Sequence, residues 1–587
     1  MNCGENVKKQ RNGFKLTAVA AILAAQVAYG EFTYPNCTPL QASDFKEVIL
    51  VDKSKDPTLN EPVGFSLGKD GRIFFAERGY GNVKTVSPTG QISIMGNFEV
   101  YDNNELGLRF VTPDPNFEAN RWLYLILTPK DPKVNRLIRV KVKGDWTLDM
   151  STVKIMLDMP WTYDICCHQG GALAWDLQGN LFVSTGNNTQ NSDDFNVTDE
   201  RTVTKDNQGG PANTNSYRGK ILRIKPIPFA DSDNPGPGLG KSYTVPAGNL
   251  RDYYLDKGVW NETESKKVLP ELYTMGHRNP YSMNVDKYTG WLSWGDIGPD
   301  AGIEKADRGP AGNDEFNLVN KPVFAGWPYF VGANLGYKKW NYETGTSLNQ
   351  GWDVNAPMNE SKNNTGVTRL PPAYPAILPE SKQVGVTPLL SQEGGGTAAI
   401  SGPVYHYDGS NPSKVKLPPH FDGKWFVGEF SRNWIKVASF DGDLTKITDL
   451  QNLPFNAKPA AMLGMELGSD GALYVLNYAG WFNSTAETRI SRIEYNGNCS
   501  DPSKVPKLST SIASRKNLTE AGIRVLGERI NLGDARGVQL FDLRGRMVWS
   551  ATRANTTTEG WVTIPEQFRS GLYQVRMITA NTRTQYP

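Results

Sequence analysis

The sequence predicts an all-β protein: a six-bladed β-propeller followed by a small C-terminal β-sandwich. Three observations carry this expectation. One phrase, an apolar pair, then a polar turn with Gly, then an aromatic or aliphatic run, occurs six times at spacings of about 40 to 130 residues. Most copies lead into a third strand-like run. The chain is also rich in turn formers and aromatics, with 58 Gly, 38 Pro and 11% Phe, Trp and Tyr, as sheet-rich folds require.

The first element is a leader. Lys8, Lys9, Arg11 and Lys15 precede the apolar run "LTAVAAILAAQVA", and Ala28 and Gly30 supply the small residues of a cleavage site. Residues 1–30 therefore read as a signal peptide. Its 13-residue run is too short for a bilayer, which takes about 20 residues. Removing it takes four basic residues and one acidic residue, leaving 59 against 60. A chain so balanced has no electrostatic reason to seek nucleic acid. The expectation is an exported protein, secreted or at the cell surface, with no transmembrane segment.

Residues 31–500 hold the six phrases. They are "FSLGKDGRIFFAE" from Phe65, "FVTPDPNFEANRWLYLILT" from Phe110, "LAWDLQGNLFVSTG" from Leu173, "MNVDKYTGWLSWGD" from Met283, "PPHFDGKWFVGEF" from Pro418 and "MELGSDGALYVLNY" from Met465. Each reads as two strands joined by a tight turn. Third strands follow in "KTVSPTG", "NRLIRVKVK", "GKILRIKP" and "WIKVASFDG". Six repeats of one hairpin phrase point to propeller blades with long insertions rather than to stacked sandwiches. Residues 501–522 lack apolar periodicity and read as a linker. Residues 523–587 form a separate unit with nine Arg, five acidic residues and no Lys.

Four cysteines follow the leader: Cys37, Cys166, Cys167 and Cys499. Cys37 and Cys499 bracket the six phrases, so a bond between them would staple the seam of the ring. Cys166 and Cys167 would then pair with each other. Adjacent Cα atoms lie about 3.8 Å apart, below the usual disulfide range of roughly 4.4 to 6.8 Å, so such a bond is strained. Two buried thiols, or thiolate ligands, are the alternatives, although no CxxC or His cluster supports zinc.

Several motifs bear on chemistry. "GPGLGKS" from Gly236 is one residue short of a phosphate loop, and Pro235 and Pro237 oppose the helix such a loop needs. No GxGxxG opens a helix, so a nicotinamide-binding domain is unsupported. "YTMGHRNPYSMNVD" puts Arg278 and Asn279 before a strand, either as a structural pair or as site residues. "WGDIGPDAG" is a turn or a source of hard carbonyl ligands at Gly298 and Pro299, with the carboxylates of Asp314 and Glu315 nearby, as calcium prefers.

The order "NNELGLRFVTPDPNF", "CCHQGGALAWDLQGNLFVSTGNN", "RGKILRIKP", "YTMGHRNPYSMNVD", "WGDIGPD", "DEFNLV", "GWPYFVG", "DGALYVLNY" resembles the soluble glucose and sorbosone dehydrogenases over about residues 45–496. These are six-bladed propellers that use pyrroloquinoline quinone and calcium. The resemblance implies His168 as general base and Arg278 as the cation beside the quinone. It implies Asn279 and Glu105 as contacts to cofactor or substrate, and Arg432 as the contact to cofactor carboxylates. Gly298 and Pro299 would offer carbonyls to calcium, and Asp314 and Glu315 match a second calcium site. Three positions depart from the family: Glu105 stands where it has glutamine, Asn187 where it has a base-supporting Asp, and the Cys166–Cys167 pair is added. The tail from about 523 is similar to the C-terminal sorting domains of type IX secretion, which would make secretion machinery a partner.

The implied reaction is oxidation of an aldose or related sugar at C1 to a lactone, with an external electron acceptor. The rival is a non-catalytic carbohydrate- or protein-binding propeller, since fold does not fix function. A calcium-dependent lactonase propeller is a third reading, but it would need carboxylate ligands at the channel.

Overall fold

The computed structural model describes residues 40–190, 193–195, 198–228, 236–387, 389–390, 396–442, 444–480 and 482–497, together with six short strands between 524 and 578. Residues 1–30, the linker 501–522, Cys37 and Cys499 lie outside the described residues.

Six antiparallel sheets form the ring. The inner strands are Pro62–Leu67, Leu108–Pro113, Gly170–Trp175, Pro280–Val285, Ala399–Val404 and Met462–Leu467. Each touches the next, and the sixth touches the first, so the ring is closed around an axis. Five of the six hairpin phrases are the inner hairpins of their blades. The fifth, from Pro418, covers only the second strand Trp425–Glu429, because the inner strand Ala399–Val404 lies upstream of it.

The turns explain the phrase. In "GKDGR" the Gly68 N–H donates to Arg72 O at 2.7 Å and the Gly71 N–H to Gly68 O at 3.0 Å. Gly71 sits at φ +83°, where a side chain is disfavoured. "GSDGA" repeats the arrangement at residues 468–472, at 3.0 and 2.9 Å.

Strand composition follows from burial on both faces. Successive residues point to opposite faces of a sheet. In blade 1, Phe74 packs toward blade 2 with Leu123 and Leu125, whereas Phe75 packs toward blade 6 with Tyr474 and Leu476. In blade 5, Trp425 joins the contact with blade 4 and Phe426 the contact with blade 6. Every blade is sandwiched, so its strands read as apolar runs rather than as alternation. Each such aromatic contributes roughly 1.5–3 kcal/mol on burial.

Ring closure is made by the chain's own start. Phe45–Val51 supplies the outer strand of blade 6, pairing Phe45 with Tyr495 and Val51 with Ile490. Beyond the propeller, two three-stranded antiparallel sheets are described. One holds Arg524–Leu526, Arg529–Asn531 and Trp561–Thr563; the other holds Met547–Thr552, Gly537–Phe541 and Gln574–Ile578.

Candidate active site

The loops at one end of the inner strands of blades 2 to 5 bring together residues far apart in sequence. His168 lies just before the inner strand of blade 3, and Asn187 just after the second strand of that blade. Their side chains meet, with His168 Nδ1 3.0 Å from Asn187 Oδ1. Arg278 and Asn279 lie between blades 3 and 4. The Asn187 N–H donates to Arg278 O at 2.7 Å, and the Gly170 N–H donates to Asn279 Oδ1 at 3.0 Å. Glu105 arrives from blade 2, where its Oε2 accepts the Gln169 N–H at 3.1 Å.

His168 holds a left-handed backbone, φ +67°, of the kind that concentrates at functional sites. The close packing beneath it depends on Gly186: a Cβ there would lie 1.9 Å from His168 O. The tautomer of His168 follows from its partners. The Trp327 indole, which can only donate, donates to Asn207 Oδ1 at 3.2 Å. Asn187 Nδ2 donates to that same oxygen at 2.8 Å, and Asn187 Oδ1 accepts the Thr189 N–H at 3.2 Å. Asn187 Oδ1 is therefore an acceptor toward His168, so Nδ1 carries the proton and Nε2 keeps its lone pair.

Burial, and then the nearby charge of Arg278, holds His168 well below its ordinary value of 6.5; the Asn187 hydrogen bond opposes this. The imidazole is thus neutral at neutral pH. Burial also pushes Glu105 up, against the backbone N–H groups of Gln169 and His168 and the charges of Arg278 and Arg109.

The turn that presents Arg278 is held by Asp296. Its Oδ1 accepts the N–H groups of Asn279 at 2.7 Å and Arg278 at 3.2 Å, and its Oδ2 lies 3.0 Å from His277 Nδ1. Arg278 Nη1 donates to Ile297 O at 3.1 Å, and Nη2 lies 3.7 Å from Asp300. Lys382 reaches the same Asp300 at 4.0 Å and Asp314 at 3.7 Å. Sequence reasoning missed Asp296, Asp300 and Lys382: the first two lie in "WGDIGPDAG", which was read only for its carbonyls, and Lys382 follows the strand Leu378–Ser381 with no motif around it.

Gly298 and Pro299 pack against the strand Asn313–Val319, and the Gly298 N–H donates to Asp314 Oδ1 at 3.0 Å. Asp314 also accepts from Thr397 Oγ1 at 2.7 Å and from the Ala399 N–H at 2.8 Å. Glu315 accepts from the Gly332 N–H at 2.7 Å and Asn317 Nδ2 at 3.2 Å. Adjacent residues of one strand face opposite sides, so these two carboxylates do not converge on one ion. Among the described residues no group of three or more His, Cys, Asp or Glu side chains could hold a metal.

Arg432 follows the strand Trp425–Glu429 and pairs through Nη1 with the buried Glu380. Among the described residues its Nε and Nη2 have no hydrogen-bond partner although they are buried. Cys166 and Cys167 are joined by a disulfide, with Cα atoms 3.7 Å apart. Cys166 is exposed and Cys167 partly so, directly before the buried His168. Gln169 Nε2 braces this segment by donating to Cys167 O at 3.1 Å.

The fold and site define a six-bladed propeller with a neutral histidine beside buried cations at one mouth of its axis. The glucose/sorbosone dehydrogenase family model matches residues 59–243 and 260–360 of this chain. The chain is 24% identical over 352 residues to quinoprotein glucose dehydrogenase B of Acinetobacter calcoaceticus, covering 56% of this chain and 64% of that protein. It is 22% identical over 266 residues to an uncharacterized protein of Synechocystis, covering 44% and 52%. The chain thus spans between about half and two thirds of the length of these curated relatives. Among solved structures, a glucose dehydrogenase of Thermus thermophilus is similar with TM-score 0.49 and 19% identity, covering 76% of this chain and 99% of that one. The PQQ-bound aldose sugar dehydrogenase of Streptomyces coelicolor has TM-score 0.45 and 16% identity, covering 78% and 99%.

Proposed function

We propose that this protein is a quinoprotein sugar dehydrogenase that oxidises an aldose or related sugar at C1 to the lactone. The observation that carries the reading is the neutral, tautomer-fixed His168 next to the buried cation Arg278. A general base needs its lone pair free at working pH and its ring held still, and both conditions are met here.

The residues present fit pyrroloquinoline quinone, whose three carboxylates call for cations. Nε and Nη2 form the edge of a guanidinium that clasps a carboxylate in bidentate fashion, and these are the two Arg432 nitrogens left without partners among the described residues. Arg432, Lys382, Arg278 and Asn279 would hold the group. Calcium would rest on the carbonyls of Gly298 and Pro299 together with oxygens of the cofactor, since no cluster of acidic side chains is offered. When bound, the quinone supplies the hydride acceptor.

His168 Nε2 takes the hydroxyl proton of the sugar as C1 is oxidised. Nδ1–H stays on Asn187 throughout, so the imidazolium formed is stabilised by an amide and not by a carboxylate. Arg278 stabilises negative charge developing on its partner. Export through the leader, an external electron acceptor and handling of the tail by secretion machinery belong to the same proposal. The test is reconstitution of the full chain with pyrroloquinoline quinone and calcium, followed by dye reduction over a panel of aldoses. Turnover that depends on both additions supports the reading. Sugar binding without turnover would favour the binding propeller.

A further inference from the structure

A cavity with polar groups on its wall lies on the propeller axis. In five of the six blades the register between the inner strand and its neighbour shifts near the start of the inner strand; in blade 5 it shifts near the end, after Ser401. In four of them a single residue is set out of register: Val63, Arg109, Tyr281 and Leu463. A bulge of this kind re-aims a side chain, and these residues line a cavity on the axis to which all six inner strands contribute. Gly170 and Gly171 line it too, so it lies directly beneath the loop that carries His168.

Arg109 is 3% exposed. One nitrogen, Nη2, meets Asn135 Oδ1, while Nε and Nη1 have no hydrogen-bond partner among the described residues. Among the described residues no carboxylate bonds to it, and Glu105 acts on it through space. A buried guanidinium whose donors are unmet is costly, and an acceptor carrying negative charge meets one of these donors and offsets the buried charge. Ser282 lines the same cavity. Its Oγ accepts the Ser401 N–H at 2.7 Å, and its own proton can turn toward a bound anion.

We infer that the axial cavity is a site for one small monovalent anion of the size of chloride, held by Arg109. Size sets the class: the space open to the centre of a water-sized sphere is about 20 Å³, and about 10–15 Å³ suffices for one water. A sugar phosphate is too large for that space, and sulfate is disfavoured because its two charges would meet the single cation Arg109. Glu466, on the same wall, does not oppose the anion at neutral pH, because burial pushes its carboxyl up to about 8.

Chloride-35 NMR on the full chain tests this. Line broadening on titration with sodium chloride should saturate, bromide should relieve it by competition, and sulfate at equal ionic strength should not. Arg109→Gln should abolish the saturable part, whereas Glu466→Gln should retain it. A bromide soak should place one anomalous peak on the axis beside Arg109. If the Arg109→Gln protein does not fold, the parent titration and the bromide peak still decide. Broadening that never saturates, competition by sulfate, or a water alone at Arg109 would overturn the site.

Discussion

Asn187 Oδ1 lies 3.0 Å from His168 Nδ1, where a carboxylate would hold an imidazolium far more strongly. Burial and then the charge of Arg278 hold His168 well below its ordinary 6.5, and the amide, which fixes the tautomer, opposes this only in part. Asn187→Asp should raise the His168 pKa by about 1–2 units, as an adjacent opposite charge does. The acid limb of the kcat/KM profile should move up by the same amount. An unmoved limb would show that His168 is not the group whose protonation stops turnover.

Parent activity should persist to well below pH 6.5, since the base is neutral above its lowered pKa. The sign for stability is the same. Below 6.5 the unfolded chain binds a proton that the folded protein refuses, so stability falls as pH falls toward the folded value. His168→Gln should remove that contribution to acid sensitivity. Turnover should drop by about 10²–10⁴-fold, while retention of the cofactor is kept, as equilibrium dialysis would show. Parent-like turnover in His168→Gln would rule this residue out as the base.

Gly186→Ala probes positioning without touching the imidazole. The new Cβ would lie 1.9 Å from His168 O and 2.4 Å from its carbonyl carbon, so the His168 backbone must move. A displacement of about 1 Å costs about 10²-fold in rate. The expected outcome is a loss of that size in kcat together with a lowered thermal midpoint, since overpacking of this kind costs about 1–3 kcal/mol.

Arg432→Met should weaken both cofactor retention and the fold. Glu380 is 0% exposed at its side chain and loses its cation, and breaking a buried pair costs about 3–5 kcal/mol. In the double variant Arg432→Met with Glu380→Gln, stability should largely return in urea unfolding while cofactor retention stays low. Retention that recovered with stability would assign Arg432 a purely structural role.

The hairpins, the number of blades and the presence of His168, Arg278 and Asn279 were legible in the sequence. A turn such as "GKDGR" is decided by neighbours a few residues apart, and a doubly buried strand such as "LYLIL" announces itself by composition. Ring closure was not legible in this way. Cys37 and Cys499, read as the seam, lie outside the described residues; among those described, the strand pairing that closes the ring is Phe45 with Tyr495, two positions with no local signal linking them. Asp314 and Glu315 looked like neighbouring ligands, and only the strand Asn313–Val319 sends them to opposite faces. Lys382, Asp296 and the axial Arg109 acquire meaning when six blades converge and desolvate them. The sequence by itself determined the local hairpins and the chemical types at the site. Which of those groups share one buried space was decided by packing between blades, because burial and charge proximity belong to the closed ring and to no single segment of it.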